Sequence, residues 1–419
     1  MAPSTDHTRS AAERLTSGAI EASWLLYALG ALYLVGPLLG WLLAAMAAAQ
    51  LYLGLSGKRV PAPILLWLGG MLAMLVILLA GHVLNDLGLD QTLKSATGWA
   101  KGWALLALFP FAGAILGIRP QVIYRAVCRL GLQTLLLLPL LVAAPYLHLP
   151  GEIYVSPLRI LGGSGPEFFS VVLYTIDPEV GAPRWQFFAP WSPAAGMIAV
   201  VHILCALEER HPGWKAVGIA AGIAVALLSQ SRLAFVALAV IWPLAHLVSR
   251  MRYPWFWRIA AVPALLAGWR ASELAAMASQ ATERFNGARA DSSRVRATLG
   301  RIAVERWRHE APWFGHGVVE RGPHLVEYMP IGSHHSWYGL LFVKGLCGVV
   351  ALALPLAVGL IDAAASAVRG SASGRVAFAM LMVLLLYSFG ENLEVLGYLV
   401  WPGLLLIGIG AAQQADATR

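Results

Sequence analysis

The chain of 419 residues is too apolar for a soluble protein, since 12% of its residues are charged and 58% are hydrophobic. A soluble globular domain carries about 25% charged residues. The net charge of +8 does not indicate nucleic-acid binding, because the basic residues lie mainly in short segments between apolar runs and in one long loop. The three cysteines, Cys128, Cys205 and Cys347, lie far apart, which predicts neither a metal site nor a disulfide.

Apolar runs of about 20 residues recur along the whole chain. Since lipid offers no partners to backbone amides, each run is expected to cross the bilayer as a helix. We therefore predict an all-α integral membrane protein with about 12 transmembrane helices and two long external loops. The predicted spans are residues 20–36, 38–55, 62–84, 100–117, 130–147, 191–207, 214–229, 232–249, 258–270, 337–366, 376–389 and 393–412.

Two of these predictions carry alternatives. Only Gly36 and Pro37 separate the first two spans, which can also be read as one broken helix, and the ninth span is short. The polar start of the chain, Met1 to Glu21, lacks the pattern of a cleavable signal peptide, so the first helix is the expected insertion signal.

Lysines and arginines in the short loops predict the orientation of the chain. Most of them fall on one side, which places that side and both termini in the cytoplasm, whereas the short loops opposite hold little beyond Lys94 and Lys101. Two long segments then lie outside. The resulting units are the N-terminal helices 1–147, the first long loop 148–190, the central helices 191–270, the second long loop 271–336 and the C-terminal helices 337–419.

Two arginines lie close to the predicted outer ends of helices. Arg184 precedes the span that begins at residue 191, and Arg232 occupies a very short turn between two apolar spans. A charge this near the hydrocarbon usually has a partner or a function. Both residues could supply cationic donors to a diphosphate, or alternatively extend to lipid headgroups.

The second long loop contains eight arginines and seven acidic residues, so it is not basic overall. Arginine is used throughout it, and its planar guanidinium binds phosphate oxygens in pairs. Residues 293–309 have helical character and predict an amphipathic helix at the outer membrane surface. The candidates for phosphate binding here are Arg294, Arg296 and Arg301, while pairing with Glu305, Glu310 and headgroups explains most of the loop arginines.

His334 and His335 directly precede the long apolar span that begins at residue 337. A histidine at an accessible helix start suits a general base, although an interfacial hydrogen bond is the alternative. Glu391, at another short external turn, either orients the site or caps a helix. Lys344 is expected to extend outward from its helix. Asp86 and Asp90 are isolated external carboxylates, and we therefore predict no metal site.

Four motifs, taken in order, resemble those of the O-antigen ligase and polymerase superfamily of bacterial membrane glycosyltransferases. PRWQFFAPWSPAAG, with Arg184, is similar to the stretch that ends the family's earlier external loop. SQSR, ending in Arg232, is similar to its Ser-Arg turn, and HHSWYGLLFVKGLCG is similar to its His-Asn-x-Tyr helix start, with His335 and Tyr338 in register.

The fourth motif lies between the last two. SSRVRATLGRIAVERWRHEAPWFGHG is similar to an arginine-led amphipathic segment followed by Pro-x-x-Gly-x-Gly, with Pro312, Gly315 and Gly317 at the small positions. The resemblance covers about residues 180–360. The chain departs from it at Ser336, where the family usually has Asn, and at Val343-Lys344, which replaces a position that is often acidic.

The resemblance implies a GT-C-like membrane fold in the bacterial inner membrane, with the active site facing the periplasm. It implies an inverting, metal-independent transfer with no cofactor, from an undecaprenyl-diphosphate-linked glycan to a sugar hydroxyl. His335 would be the general base, with Arg232 also catalytic. The diphosphate would be held by Arg184, Arg232 and either Arg294 or Arg296, with His334, Arg301, Tyr338 and Glu391 as secondary candidates.

The acceptor remains open at this point. A ligase transfers polysaccharide to lipid A-core, a polymerase extends a glycan, and some relatives glycosylate proteins; we favour the ligase. From a different class, a transporter of lipid-linked glycans would also use arginines at the membrane surface. That reading predicts ionisable groups deep in the bilayer and broken helices.

Overall fold

The computed structural model describes residues 9–55, 57–163, 165–177, 181–287, 290–332 and 334–417. These residues form sixteen α-helices and two small sheets. The helices are α1 (Ala11–Glu21), α2 (Ser23–Ala28), α3 (Leu32–Tyr52), α4 (Ala62–Leu84), α5 (Gly88–Lys101), α6 (Leu105–Ile115), α7 (Pro120–Ala143), α8 (Ser192–Leu207), α9 (Pro212–Leu228), α10 (Arg232–Arg250), α11 (Pro254–Trp269), α12 (Ala271–Gly287), α13 (Ala290–Glu310), α14 (Ser336–Val368), α15 (Ala372–Ser388) and α16 (Leu393–Ala417).

Seven helical stretches in the described part of the chain are long and apolar enough to cross a membrane. They are Leu32–Tyr52, Ala62–Leu84, Gly88–Ile115, Pro120–Ala143, Arg232–Arg250, Ser336–Val368 and Leu393–Asp416. Three further apolar helices, α8, α9 and α15, are shorter. The protein is therefore mostly helical with several potential spans, and the count of about twelve stays a prediction.

The start of the chain differs from the predicted spans. Residues 20–36 do not form one helix but are divided among α1, α2 and the first turn of α3. The chain turns at Gly30, whose φ of +63° is available to glycine at little cost and where a Cβ would lie 2.3 Å from the Ser156 Cβ. Pro37 lies inside α3, near its start, where it removes one backbone hydrogen bond without ending the helix.

Other helix boundaries also differ from the predicted ones. The predicted span 100–117 corresponds to α6 and the end of α5, with a turn at Gly102 between them. Asp90 lies on α5 and pairs with Lys94 at 2.7 Å. The ninth predicted span corresponds to the sixteen-residue helix α11.

The first long loop is a folded layer. β1 (Glu152–Val155) pairs antiparallel with β2 (Ser170–Val172), and β3 (Thr175–Ile176) pairs antiparallel with β4 (Pro183–Arg184). Phe169 and Phe187 are buried in the main core. This loop therefore anchors Arg184 to the helices beneath it.

Ion pairs mark one end of the helices. Arg125 pairs with Glu209, which follows α8, and Arg375, in the first turn of α15, pairs with Glu208. Arg119, which precedes α7, binds both oxygens of Glu13. The predicted site residues lie at the opposite ends of these helices, before α8, α14 and α16 and after α15. The bundle thus separates a paired, basic end from the end that carries the candidate site.

Candidate functional site

Hydrogen bonds between Ser336 and the Glu391 turn link the starts of α14 and α16. Ser336 donates from its backbone N–H and from its hydroxyl to the Glu391 carbonyl, at 3.1 and 2.8 Å. The same hydroxyl accepts from the Leu393 N–H at 3.0 Å. Ser336 is 2% exposed, so every one of these bonds is protected from water. Ser336 thus holds the helix start that carries His335.

The Glu391 carboxyl is buried in the same place, at 2% exposure, and accepts a hydrogen bond from the Trp191 indole N–H at 2.9 Å. Burial raises its pKa to about 7, and Arg296, the Trp191 bond and Arg184 act against burial by favouring the charged form. Positive charges from both long loops therefore act on Glu391, since Arg184 belongs to the first loop and Arg296 to the second.

Arg184 is held firmly by its own loop and by the end of α9. Its Nε donates to the Ser229 carbonyl at 2.9 Å, and its Nη1 lies 3.6 Å from the Asp177 carboxylate. The side chain is 12% exposed. This nearly buried guanidinium is fixed in position before any ligand arrives.

Arg232 is the first residue of α10 and is half-buried. Its neighbour Leu233 lies 3.1 Å from the place that a Cβ on Gly390 would take, so the start of α10 is adjacent to the Glu391 turn. On the other side Ser231 packs against Gly196, where a Cβ would lie 2.3 Å from the Ser231 Cβ. The structure thus places Arg232 at the same end of the bundle as Arg184.

The predicted helix of residues 293–309 is confirmed as part of α13. Its apolar face does not lie free for the membrane surface but packs on protein, because Val295, Leu299 and Ala303 are buried with Phe342 of α14. Arg294 and Arg296 both lie on its exposed side. Of the two, Arg296 is the one whose charge acts on Glu391 and His334.

Among the remaining arginines of the second long loop, Arg306 pairs with acidic side chains, as the alternative interpretation predicted. Arg306 pairs with Glu310 at 2.8 Å and with Glu320, and Arg301 donates to Thr298 of its own helix at 3.2 Å. Arg301 and Tyr338 line a groove of about 500 Å³ on the outer side of α13. The side chains of Arg284 and Arg289 lie outside the described part of the chain.

His335 is the N-cap of α14. Its Nδ1 accepts from the Tyr338 backbone N–H at 3.3 Å, and its ring stacks on the Tyr338 ring with centroids 4.1 Å apart. Burial lowers the pKa of His335 to about 4, and burial together with Arg296 lowers that of His334 to about 4. Both imidazoles are therefore neutral at pH 7.

The Pro-x-x-Gly-x-Gly segment has a clear structural role. α14 is broken at Gly345, which has a φ of +62°, and residues 312–317 supply partners for the freed backbone groups. The His316 and Gly317 N–H groups donate to the Phe342 and Val343 carbonyls at 2.8 and 2.9 Å. On the other side of the break, the Leu346 N–H donates to the Pro312 carbonyl at 2.9 Å.

Only glycine permits this contact. A Cβ on Gly315 would lie 2.4 Å from the backbone nitrogen of Lys344. A Cβ on Gly345 would lie 2.3 Å from the carbonyl oxygen of Trp313. At position 315, this close approach of two backbones explains the small residue that the resemblance implies there.

A cavity of about 580 Å³ opens beside the site. His334 and Ser336 line one part of it, and aromatic rings form much of its wall. Lys344 also lines it and is 3% exposed. The expectation that Lys344 extends outward is therefore wrong, because its side of α14 faces the protein interior.

The charges of Arg184 and Arg296 thus act on Glu391, and that of Arg296 also acts on His334. His335 and Tyr338 are stacked at the start of α14, and Arg232 lies at the same end of the bundle. Arg301 lines the groove that Tyr338 also lines. Sequence reasoning missed Trp191 and placed Lys344 on the wrong side of its helix. A lysine followed by glycine in the middle of an apolar run was the available signal for the second.

No protein-family model and no curated protein matches this chain.

Proposed function

We propose that the protein is a membrane glycosyltransferase that moves a glycan from undecaprenyl diphosphate to a sugar hydroxyl. It would act at the periplasmic face of a bacterial inner membrane, with both chain termini in the cytoplasm. The four motifs, in their order along the chain, support the donor class. The position of the paired basic residues at the opposite end of the helices supports the orientation.

The observation that carries the proposal is that the charges of Arg184 and Arg296 both act electrostatically on the Glu391 carboxyl, which lies beside the His335 helix start. Cationic groups from both long loops therefore lie near the same carboxyl. Such an arrangement suits a diphosphate, whose oxygens accept paired N–H bonds. Arg232, at the neighbouring start of α10, would add a third cation.

In the proposed reaction the acceptor hydroxyl oxygen attacks the anomeric carbon from the face opposite the diphosphate. The new C–O bond forms as the bond to the diphosphate oxygen breaks, which inverts the anomeric centre. The diphosphate leaves with the bonding electron pair, and Arg184, Arg232 and Arg296 stabilise its charge. Because these cations can perform that task, the proposed mechanism needs no metal ion.

His335 takes the hydroxyl proton in this proposal. Its Nδ1 holds the free electron pair of the neutral ring. Among the residues that the structure describes, Nδ1 accepts only from the Tyr338 N–H, over a 3.3 Å bond that is long for N–H donors. A substrate hydroxyl can displace that N–H, after which the proton passes to Nδ1. Burial supports the neutral state that a base requires.

The acceptor is proposed as lipid A-core, which makes the protein an O-antigen ligase. A polymerase that joins glycans to each other, or a transferase that modifies proteins, uses the same donor chemistry. The acceptor arms of the experiment separate the three.

The test is glycan transfer by purified protein in nanodiscs, with an undecaprenyl-diphosphate-linked glycan, lipid A-core and EDTA. Wild type is expected to modify the core, while His335→Ala and Arg232→Ala lose activity yet remain monodisperse. Joined donor glycans would identify a polymerase instead. A His335→Ala variant as active as wild type would show that the base lies elsewhere, and activity lost with EDTA and restored by Mg²⁺ would overturn the metal-free mechanism.

One observation favours a second class of function. A transporter of a lipid-linked anion needs a broken helix and a charge within the membrane, and α14 has a break at Gly345 directly after the buried Lys344. Proteoliposomes that contain a fluorescent undecaprenyl-diphosphate glycan distinguish the two. A transporter moves the lipid between leaflets without breaking the anomeric bond, whereas a glycosyltransferase breaks the bond.

A further inference from the structure

The cavity beside the candidate site contains a cation without a protein partner. Lys344 is 3% exposed and lines the cavity, and within the described residues its ammonium group makes no hydrogen bond or ion pair. A lysine ammonium group has three N–H donors, and without protein acceptors it can satisfy them only with water or with a ligand in the cavity. An anion bound in the cavity would supply the missing partner.

The position of Lys344 follows from α14. Ser336, Leu340, Val343 and Lys344 all line the cavity, and their spacing places them on one face of the helix. At a rise of 1.5 Å per residue, Lys344 lies about 12 Å along the helix from Ser336. The cavity therefore runs from the His335 helix start toward Lys344, and one small group cannot touch both ends.

The Lys344 backbone is held rigidly. Gly315 packs directly on its nitrogen, and residues 312–317 bond to the carbonyls of Phe342 and Val343 just before it. The break at Gly345 thus fixes the backbone position from which the Lys344 side chain extends.

The other charged groups in the cavity leave Lys344 available. Glu167 folds back on its own loop, since its carboxylate oxygens lie 2.2 and 2.4 Å from where a Cβ on Gly165 would stand. The Glu394 side chain packs against Gly102, and its Cγ lies 2.7 Å from the position that a Cβ on Gly102 would take. These carboxylates can accept bonds from hydroxyl groups, but neither pairs with Lys344.

The rest of the wall suits a sugar. Trp103, Phe168 and Trp191 present aromatic rings, and Asn392 adds an amide that can bind hydroxyl groups. Ligand cavities of this volume commonly combine apolar and aromatic walls with a few polar groups that fix orientation. The apolar faces of sugar rings can pack on such walls.

We propose that Lys344 binds an anionic group, a carboxylate or a phosphate, carried by a glycan in this cavity. The ligand class rests on the proposed function, whereas the anion site rests on the burial of Lys344 and on its lack of a partner. The protein would accordingly prefer acidic glycans to neutral ones of the same size.

The experiment measures binding of small probes to the full chain in nanodiscs of neutral lipid. Methyl β-D-glucuronide and methyl β-D-glucoside differ in the carboxylate alone, and inorganic phosphate tests the other anion. Wild type is expected to bind the glucuronide about ten-fold more tightly than the glucoside, as one charge-assisted hydrogen bond allows. Lys344→Met removes that preference, and Lys344→Arg keeps it.

Lys94→Met is the matched control, since Lys94 is an exposed lysine paired with Asp90 away from the cavity. It retains the preference. Lys344→Gln serves in place of the methionine variant if the latter is not monodisperse. If phosphate displaces the glucuronide, the anion site is supported and its ligands include phosphate groups. If phosphate binds through Lys344 but the protein does not prefer the glucuronide, the site is specific for phosphate.

The proposal is overturned if wild type binds both sugars equally and binds no phosphate, or if Lys344→Met keeps the preference. The assay involves no donor lipid, so its result is separable from the proposed activity. A protein that binds glucuronide through Lys344 but transfers no glycan would lose its proposed function and keep this site.

Discussion

The Nδ1 atom of His335 accepts a hydrogen bond from the Tyr338 backbone N–H at 3.3 Å, so the proton of the neutral His335 ring lies on Nε2. The same nitrogen that caps α14 is thus the one that would take a proton from substrate. A loss of activity on mutation could therefore reflect a lost cap or a lost base, and the two roles need separate variants.

Asparagine at position 335 separates them, because asparagine is a strong N-cap but cannot take a proton. We expect His335→Asn to keep its thermal unfolding temperature and to transfer glycan at least about a hundred-fold more slowly, as for loss of a general base. His324→Asn, at an exposed histidine of the same loop, is the control. If His335→Asn transfers at the wild-type rate, the histidine only caps the helix.

Glu391 should make stability depend on pH. Its pKa is raised from 4.5 to about 7 in the folded protein, chiefly by burial. The folded state therefore holds a proton that the unfolded state has released between these values. The stabilisation from the neutral carboxyl is complete below about 4.5 and is lost as the pH rises through about 7.

Glu391→Gln isolates this contribution, because the amide oxygen can still accept the Trp191 bond. We expect the unfolding temperature of wild type, relative to the variant, to fall by several degrees between pH 5 and 8. The lowered pKa values of His334 and His335 make the protein less stable as the pH falls, which is opposite to the effect of Glu391. Both histidines are present in wild type and variant, so their effect cancels in the comparison. Parallel curves for the two proteins would refute the assignment.

The sequence was sufficient for features that depend on local pattern. The helical segment 293–309, the histidine at a helix start and the arginines at helix ends each follow from a few neighbouring residues. It could not give the electrostatic effect of Arg184 and Arg296 on Glu391, because three elements distant in the chain create it. The burial that raises the pKa of Glu391 is likewise a property of packing.

Two incorrect sequence predictions about α14 have the same physical cause. The break in α14 and the inward position of Lys344 both depend on residues 312–317, which satisfy the backbone groups around Gly345. An apolar run with one lysine predicts a continuous helix and an outward lysine when that partner is unknown. At the start of the chain, Gly30 produced the turn that the sequence interpretation had placed at Gly36-Pro37.

Arg296 can be tested by removing its charge alone. It is exposed on α13, so Arg296→Met should fold normally. We expect the KM for the donor to rise and transfer to slow by about a hundred-fold, the effect of removing one group that stabilises developing charge. Arg308→Met, at an exposed arginine of the same helix, should behave as wild type. Equal losses in both variants would mean that the net charge of α13 matters and the position of Arg296 does not.

Gly345→Ala tests whether the break in α14 is required. Alanine at a φ of +62° is strained, and its Cβ would lie 2.3 Å from the Trp313 carbonyl oxygen. Residues held in such conformations cost about 1–3 kcal/mol, so the variant should unfold at a lower temperature in detergent and bind anionic probes less well. Gly69→Ala is the control, since that glycine lies within α4 and has no atom within 4 Å of its added Cβ. Because alanine favours a helix more than glycine does, Gly69→Ala should be at least as stable as wild type. Equal unfolding temperatures for all three proteins would indicate that α14 can run straight through residue 345, and the position of Lys344 in the cavity would then need another cause.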